Sequence, residues 1–345
     1  MRNPFCNLHH SYINIPHNPV KSSRSWRKMI AVSLTLALLL PLVSCRETNS
    51  ATTKTGFYFD TVILITLYGE DKEDAFQECF DLADHYESLL SRTKEGSDIY
   101  RINHAGGATV TVSDETAALL ATALSYSRLT DGAFDVTIGA LSDLWDFKNN
   151  TGQVPDDASI KEAVDTVGYE TVSISGNNVT LQNPGTQLDL GGIAKGYIAD
   201  QMKELLTDRG ITEGLINLGG NVLALGKRAD GTPYTVGIQK PFAEDGTVIK
   251  KIEITTQTVV TSGTYQRYFE CNGTLYHHLL DPATGYPART GLSSVSILCD
   301  HSVDGDALST ACFVLGIEKA SDLISSLSDV QAIFITEENE VISVP

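Results

Sequence analysis

The stretch best suited to chemistry is a glycine-rich loop at residues 188–200, LDLGGIAKGYIAD. It reads as the end of an apolar strand, a loop with Gly191, Gly192 and Gly196, and the start of a helix. Glycines let backbone approach a ligand closely, and a helix N-terminus offers unpaired N–H groups and a positive dipole end. Asp189 and Lys195 add both charge signs. The common nucleotide fingerprints G-x4-G-K-[ST] and G-x-G-x-x-G are absent, so the loop alone fits either a structural turn or a ligand site.

A second candidate lies near the C-terminus, where Asp306 and Thr310 are four residues apart in a predicted helix. That spacing places a carboxylate and a hydroxyl on one helix face, one turn apart. Oxygen donors of this kind suit a hard cation such as Mg²⁺, which takes few protein ligands beside water and phosphate oxygens. The alternative is that Asp306 stabilises the first helical turn and Thr310 only packs.

Three further side chains carry potential chemistry. Asp135 lies between Phe134 and Val136, and an unpaired carboxylate in such apolar surroundings is costly, so it needs a partner or a ligand. His277 and His278 are adjacent in a predicted strand and therefore point to opposite faces. We expect packed or hydrogen-bonded histidines rather than a shared metal site.

The charge distribution excludes several classes of partner. Residues 1–44 contain five basic residues and no acid, whereas residues 45–345 carry 20 Lys and Arg against 43 Asp and Glu, a formal charge of −23. Such a body does not attract nucleic acid or an anionic membrane. A polyphosphate would have to be held locally, by glycine backbone or by a divalent metal.

The N-terminal region has the pattern of an export signal. Residues 29–43 form an apolar run of 15 residues after a basic segment, which is short for a transmembrane helix. The run ends in LVSC, which resembles a bacterial lipobox and implies a lipid on Cys45. We therefore predict a leader at residues 1–44, a flexible tether at 45–55 and one domain at 56–345, outside the cytoplasmic membrane and anchored to it. The alternative is a plain secretory signal.

The domain reads as α+β. β-Branched and aromatic residues without a helix breaker predict a strand at residues 57–67, and three-four spacing predicts a helix at 71–90. Helices are predicted at 306–315 and 319–327, separated at Gly316, and hairpins at 171–181 and 332–344. Since strands outnumber helices and often follow one another, we expect mostly antiparallel sheets with flanking helices.

Eight segments follow one another in chain order: FDT (59–61), SDIYRIN (97–103), DGAFDVTIGAL (131–141), LDLGGIAKGYIAD (188–200), INLGGN (216–221), TSGTYQRYF (261–269), HHLLDPATGYPA (277–288) and DGDALSTA (304–311). Together they resemble the FAD:protein FMN transferases, the ApbE flavin transferases. The resemblance runs from Phe57 to the C-terminus. It implies an ApbE-like, T-fold-like α+β domain.

The resemblance also implies an activity. Such proteins bind FAD with Mg²⁺ and transfer its FMN half to a Thr or Ser hydroxyl of a target flavoprotein, releasing AMP. The acceptor hydroxyl lies in a D-G-x-[ST]-G-A-[ST]-like motif of that partner, which the export signal would place outside the cytoplasm.

Site residues follow by match to the family motifs. The flavin nucleotide contacts would be Ala133, Phe134, Asp135, Asp189, Lys195 and Leu280. The metal ligands would be Gly192, through its carbonyl, with Asp306 and Thr310, and we assign Asp306 and Asp189 as catalytic. The sequence leaves two alternatives to the transferase open. One is a Mg-dependent FAD pyrophosphatase that yields FMN and AMP, and the other is a non-catalytic flavin-binding lipoprotein.

Overall fold

The computed structural model describes residues 50–69, 72–149, 152–244 and 246–345. The strands are β1 (Ala51–Tyr58), β2 (Thr61–Tyr68), β3 (Val110–Thr111), β4 (Val172–Ser175), β5 (Asn178–Leu181), β6 (Gly214–Leu218), β7 (Asn221–Ala224), β8 (Tyr234–Gln239), β9 (Val248–Ile254), β10 (Thr258–Gly263), β11 (Tyr268–Cys271), β12 (Thr274–His277), β13 (Leu292–Cys299), β14 (Gln331–Thr336) and β15 (Val341–Val344). The helices are α1 (Glu73–Leu90), α2 (Asp98–Asn103), α3 (Asp114–Leu129), α4 (Gly139–Trp145), α5 (Asp157–Val164), α6 (Ala194–Asp208) and α7 (Ser302–Ser325).

One eight-stranded antiparallel sheet organises the domain. Its strand order is β1-β2-β6-β7-β10-β13-β14-β15, and smaller sheets are formed by β3-β5-β4, β8-β9 and β11-β12. The predicted α+β class with mainly antiparallel pairing is confirmed. The hairpins predicted at residues 171–181 and 332–344 are also confirmed, as β4–β5 and β14–β15.

The core lies on both faces of this sheet. On one face α1 and α6 pack against β2 and β6 through side chains such as Phe76, Met202 and Ile216, while α7 covers β13 and β14. On the other face β8 and β9 bury Tyr234 and Leu298. Strand β13 is therefore buried along its whole length, as expected for a central strand covered on both sides.

The start of the domain differs from the sequence prediction in two ways. The tether predicted for residues 45–55 is wrong from residue 51, because Ala51–Tyr58 forms the edge strand β1. The single strand predicted at residues 57–67 is also wrong. The chain turns at Phe59 and Asp60, whose φ angles are 53° and 56°, and returns as β2.

The C-terminal helical region agrees more closely. The two helices predicted on either side of Gly316 are one element, α7, and Gly316 has φ 74° and ψ 170° within it. The predicted separation thus corresponds to a local break, and the helix begins at Ser302, four residues earlier than expected.

The leader predicted at residues 1–44 and the lipid acceptor predicted at Cys45 lie outside the described residues. Among the described helices, none combines the length and apolar character needed to cross a bilayer.

Candidate functional site

A single large cleft contains all nine site residues predicted from the sequence. Its volume is ≈ 1240 Å³, above the range of about 300–1,000 Å³ common for small-molecule sites. The nine residues that line it are Ala133, Phe134, Asp135, Asp189, Gly192, Lys195, Leu280, Asp306 and Thr310. A dinucleotide and part of a second molecule can share a space of this size.

The glycine loop and helix α7 meet at the base of the cleft. A Cβ atom on Gly192 would lie 3.1 Å from the Phe134 ring and 3.4 Å from Thr310 Oγ1. A side chain at position 192 would therefore crowd both neighbours. The loop backbone reaches the Asp306/Thr310 face directly, although the two segments are more than a hundred residues apart in the chain.

The starts of α6 and α7 are held together by very close packing. A Cβ on Gly196 would lie 2.2 Å from the carbonyl oxygen of Ser302. The Asp200 carboxylate accepts from the backbone N–H groups of Ser302 and Val303 at 2.8 and 2.9 Å. Burial raises the pKa of Asp200, and these two hydrogen bonds oppose that effect. The two helix starts thus form one rigid corner of the site.

Asp306 is the central charged group of this corner and is only 3% exposed. Its Oδ2 accepts from the Gly196 N–H at 2.9 Å. The Lys195 ammonium lies 3.3 and 3.4 Å from its two carboxylate oxygens and donates to the Gly191 carbonyl at 2.8 Å. An ammonium surrounded by a carboxylate and a carbonyl occupies the kind of oxygen environment that a hard cation prefers.

The donors at this corner fit Mg²⁺ better than a soft metal. Across the described ranges, no group of three or more His, Cys, Asp or Glu side chains could hold a metal ion. A cation there would depend on one carboxylate, Asp306, with the Thr310 hydroxyl and loop carbonyls. Mg²⁺ accepts such sparse oxygen sets and keeps its remaining ligands as water or phosphate, whereas Zn²⁺ sites use several His or Cys ligands.

Asp189 is braced at the entrance to the loop. Its Oδ1 accepts from the Gly191 N–H at 2.8 Å, and its Oδ2 lies 3.8 Å from Arg92 Nε. Arg92 also donates to the Gly139 carbonyl at 2.9 Å and pairs with Asp143 at 2.8 Å. Arg92 Nε is buried without a hydrogen-bond partner. The sequence did not predict Arg92 as a site residue, because a lone arginine after a helix belongs to no motif.

Asp135 has partners within the protein. Its Oδ1 accepts from the Thr137 N–H at 2.8 Å and the Thr137 hydroxyl at 2.6 Å, and its Oδ2 accepts from the Tyr169 N–H at 3.1 Å. Burial raises the pKa of Asp135, and these bonds oppose the increase. Asp135 therefore stabilises the segment of the cleft wall that contains Ala133 and Phe134. Of the two possibilities that the sequence left open, a partner within the protein or a ligand, the structure shows the first.

Leu280 is placed by the turn that follows it. The Asp281 carbonyl accepts from the Gly285 N–H at 2.8 Å, and the Asp281 carboxylate accepts from the Ala283 N–H at 2.9 Å. Gly285 has φ 75°, a conformation that favours glycine. The turn fixes Leu280 as a buried apolar contact in the cleft wall.

His278 also lines the cleft, which the sequence did not reveal. Its Nδ1 lies 3.3 Å from the Arg267 carbonyl. Since a carbonyl only accepts, Nδ1 carries the proton and Nε2 is left as an acceptor. Burial, with the positive charge of Arg267, lowers the pKa of His278. The lowered pKa favours the neutral ring.

The neighbouring His277 points away from the cleft, as the strand geometry predicts. Its Nε2 lies 3.1 Å from the Ala288 carbonyl and its ring packs edge-on against Phe313. Burial lowers its pKa to about 4. The predicted hydrogen-bonded histidines on opposite faces are confirmed. The sequence feature that could have indicated that His278 lines the cleft is its position just before the DPATG turn.

Comparison with known proteins gives consistent matches. The model of the ApbE family matches residues 59–334. An FAD:protein FMN transferase of Klebsiella pneumoniae (strain 342) is 41% identical over 283 residues, covering 81% of this chain and 87% of that protein. One of Treponema pallidum (strain Nichols) is 38% identical over 283 residues, with coverages of 77% and 78%.

Solved structures agree with these matches. The ApbE protein of Thermotoga maritima superposes with a TM-score of 0.79 at 32% identity, covering 85% of this chain and 96% of that one. The flavin transferase ApbE of Vibrio cholerae gives a TM-score of 0.76 at 26% identity, with the same coverages. The resemblance inferred from the eight sequence segments is therefore confirmed: the chain belongs to the ApbE family.

Proposed function

We propose that this protein is an FAD:protein FMN transferase that moves FMN from FAD to a Thr or Ser hydroxyl of an acceptor flavoprotein and releases AMP. The observation that carries the proposal is the meeting of the glycine loop with the Asp306/Thr310 face in one cleft. The names of the relatives and the ApbE fold support the same activity.

The reaction needs positioning and charge neutralisation more than covalent work by the protein. The acceptor oxygen forms a bond to the phosphorus of the FMN half, and the bond from that phosphorus to the bridging oxygen breaks. That oxygen leaves with AMP, and the hydroxyl proton must pass to a base. No other bond changes, so the protein has to hold the diphosphate, align the hydroxyl and accept one proton.

The glycine loop and the start of α6 suit the diphosphate. Gly191 and Gly192 bring bare backbone to the cleft, and the helix dipole contributes positive potential at Lys195. A Mg²⁺ ion held by Asp306, Thr310 and the Gly192 carbonyl would neutralise charge on the phosphoryl oxygens. Asp189, fixed by Gly191 and Arg92, would keep the loop entrance in the conformation that receives the nucleotide.

We assign His278, which lines the cleft, as the base that accepts this proton. Its neutral ring presents Nε2 as an acceptor, because Nδ1 donates to the Arg267 carbonyl. A general base with these properties contributes about 10²–10⁴-fold to a rate. Asp135, with both carboxylate oxygens already bonded, is less suited to the task.

The Asp306→Asn variant tests the metal assignment. The amide keeps the shape of the side chain but removes the charge that would hold a cation, so transfer should fall at least about 100-fold. The measurement is in-gel flavin fluorescence of a purified acceptor carrying the D-G-x-[ST]-G-A-[ST]-like motif, with a Thr→Ala acceptor as a blank.

Asp322→Asn, an exposed change on the same helix, is the matched control and should keep full activity. Full transfer by Asp306→Asn would reject the metal assignment. Fast AMP release from FAD and Mg²⁺ without acceptor would identify the pyrophosphatase instead. Tight FAD binding with neither product would identify a flavin-binding lipoprotein.

We further propose that the protein acts outside the cytoplasmic membrane, anchored through a lipid on Cys45. The lipobox-like LVSC segment and the preceding apolar run support this proposal. Labelling of growing cells with radioactive palmitate should mark the wild-type protein but not Cys45→Ala. Equal labelling of the two would refute the anchor.

A further inference from the structure

A second, smaller surface adjoins the mouth of the cleft. A groove of ≈ 380 Å³ opens beside the cleft. The two spaces share five lining residues, Asp60, Phe147, Lys148, Gln266 and Arg267. Anything that occupies the groove therefore lies against the opening through which an acceptor hydroxyl must enter.

Aromatic side chains border this groove and are exposed to solvent. Phe57 and Tyr268 line it, with 68% and 45% of their surface exposed. Phe242, 51% exposed, contacts Tyr268 at a ring distance of 5.4 Å. It also contacts Tyr265, which lines the cleft, at 6.1 Å. The aromatic surface is thus continuous from the groove to the cleft.

The main sheet extends the same surface. Phe57 pairs with Val62 across the β1–β2 hairpin, so both side chains lie on one face. Leu64 shares that face and pairs with Asn217, which lines the cleft. Among the large apolar side chains that the described residues expose, these three join Tyr268 and Phe242, and five of eight lie in this one region. Such clustering, unlike scattered exposure, marks an interaction site.

The conformation of Phe242 is a second sign that this surface is used. Its φ of 55° lies in the left-handed region, which is unfavourable by about 1–2 kcal/mol for a bulky residue. In this conformation the ring stays 51% exposed and contacts Tyr265 and Tyr268. Strained residues that persist in native structures cluster at binding and catalytic sites.

The groove also has an unusual charge for this protein. Lys148 pairs with Asp60 at 2.6 Å, and these two charges offset each other. Within the described part of the chain, no carboxylate lies within 4 Å of the Arg267 guanidinium, and the residue is exposed. The guanidinium donates to the Asp60 carbonyl at 3.5 Å. A cation without a carboxylate partner among the described residues therefore stands at the mouth of a body, residues 45–345, whose formal charge is −23.

We propose that Phe57, Val62, Tyr268 and Phe242, here called the acceptor rim, bind an extended segment of the acceptor protein next to the hydroxyl that receives FMN. An acidic residue of that segment pairs with Arg267. The inference rests on the proposed transfer function and adds to it the surface that selects the protein substrate.

Other occupants fit the surface less well. An anionic bilayer would be repelled by the negative body of the protein. A second copy would bring another body of −23 against the first. An extended peptide segment brings few charges compared with a second copy or a bilayer, and an acidic residue among them can pair with Arg267. Its apolar side chains match the exposed aromatic rings.

A double variant, Phe57→Ala with Tyr268→Ala, tests the acceptor rim. The KM for a purified acceptor protein with the threonine motif should rise more than about tenfold, because two aromatic contacts are lost. The Kd for FAD and AMP release without acceptor should change less than about twofold. The matched control, Leu129→Ala with Val341→Ala, removes exposed apolar side chains outside both spaces and should leave the KM unchanged.

The outcomes separate the two proposals. Absence of transfer by the wild-type protein rejects the transferase function itself. Transfer with an unchanged KM in the double variant rejects the acceptor rim and leaves the function standing. If the KM is unchanged but the double variant no longer binds vesicles of phosphatidylcholine and phosphatidylglycerol, the surface is a membrane contact instead. If the KM is unchanged but dimers are lost in sedimentation, it is a self-association surface.

A charge exchange tests the role of Arg267. Arg267→Glu should weaken transfer to the natural acceptor. When the Asp of the acceptor motif is replaced by Lys, transfer by Arg267→Glu should recover by at least about tenfold. The restoration is measured as a coupling between the two changes, so any direct effect of Arg267 on the cleft cancels. Additive effects of the two changes would refute the pairing.

Discussion

The Lys195 ammonium lies where the oxygen donors of Asp306 and the Gly191 carbonyl would otherwise face each other. The protein thus supplies its own positive charge to a buried carboxylate. Because opposite charges stabilise the ionised carboxylate, a metal ion that reaches this corner must displace or share the lysine.

Replacement of Lys195 by Met should expose this competition. Without metal, the free energy of unfolding should fall by about 1–3 kcal/mol, because Asp306 loses its counter-charge. Added Mg²⁺ should then raise the melting temperature more in the variant than in the wild type, as shown by differential scanning fluorimetry. The exposed pair Lys161–Asp165 provides the control, and Lys161→Met should change neither quantity appreciably. A smaller Mg²⁺ effect in Lys195→Met would contradict the competition.

His278 predicts the shape of the pH profile. Its active form is neutral, and burial lowers its pKa below the usual 6.5. The ring therefore stays unprotonated at pH 6.5, and kcat/KM should decline only as the pH falls through the lowered pKa. His278→Gln should reduce kcat about 100-fold or more and remove that acidic limb.

The exposed His85 is the comparison residue, and His85→Gln should keep both the rate and the limb. A wild-type profile that already declines near pH 7 would exclude His278 in the neutral form as the base.

At the scale of secondary-structure elements, the sequence predicted those whose signal is local. Helix α1 has apolar residues at helical spacing, and the final hairpin has alternating residues around a turn. Strand β1 was missed because its first residues, largely threonines at the sheet edge, are exposed and show no apolar alternation. The turn at Phe59 and Asp60 was missed because residues with positive φ are usually Gly or Asn.

The crossing of α6 and α7 makes Gly196 sensitive to change. In Gly196→Ala the new Cβ would overlap the Ser302 carbonyl, and we expect a loss of about 1–3 kcal/mol in unfolding free energy together with weaker FAD binding. Gly210→Ala is the control, since its φ is 73° and its surroundings are open. It should lose about 1 kcal/mol through backbone strain and keep FAD affinity. Urea unfolding and flavin fluorescence measure the two effects, and equal FAD affinity in both variants would argue against the rigid corner.

At the scale of the whole molecule, the site brings together residues from position 59 to position 310. Which of these residues meet is decided by long-range packing, so Arg92 has no sequence signal of its own. The motif that contains Tyr268 does not reveal that Phe57 and Phe242 lie beside it. The nine predicted residues were found through motif order, which substitutes for the missing spatial information. Their shared cleft is a finding of the structure, and their individual roles stay predictions.

The negative charge of the domain predicts how FAD binding responds to salt. With EDTA present, the affinity for FAD should increase a few-fold as NaCl rises from about 20 to about 200 mM, because salt screens the repulsion between the body and the diphosphate. With Mg²⁺ present, the dependence should be weaker, since the ion offsets the charge locally. Titration of intrinsic flavin fluorescence gives both series. An affinity that falls with salt in EDTA would indicate that local cations dominate the site.

The tight contact between Gly196 and Ser302 also means that different parts of the protein differ in how well they tolerate amino-acid substitution. Backbone packed against backbone fixes the two helix starts that carry Lys195 and Asp306, so substitutions made at this contact to accommodate a different dinucleotide should mostly destabilise the fold. The exposed aromatic residues at the mouth bear no such constraint. Redirecting the enzyme to new target proteins is therefore a problem of surface redesign, which can proceed while the chemistry beneath is left alone.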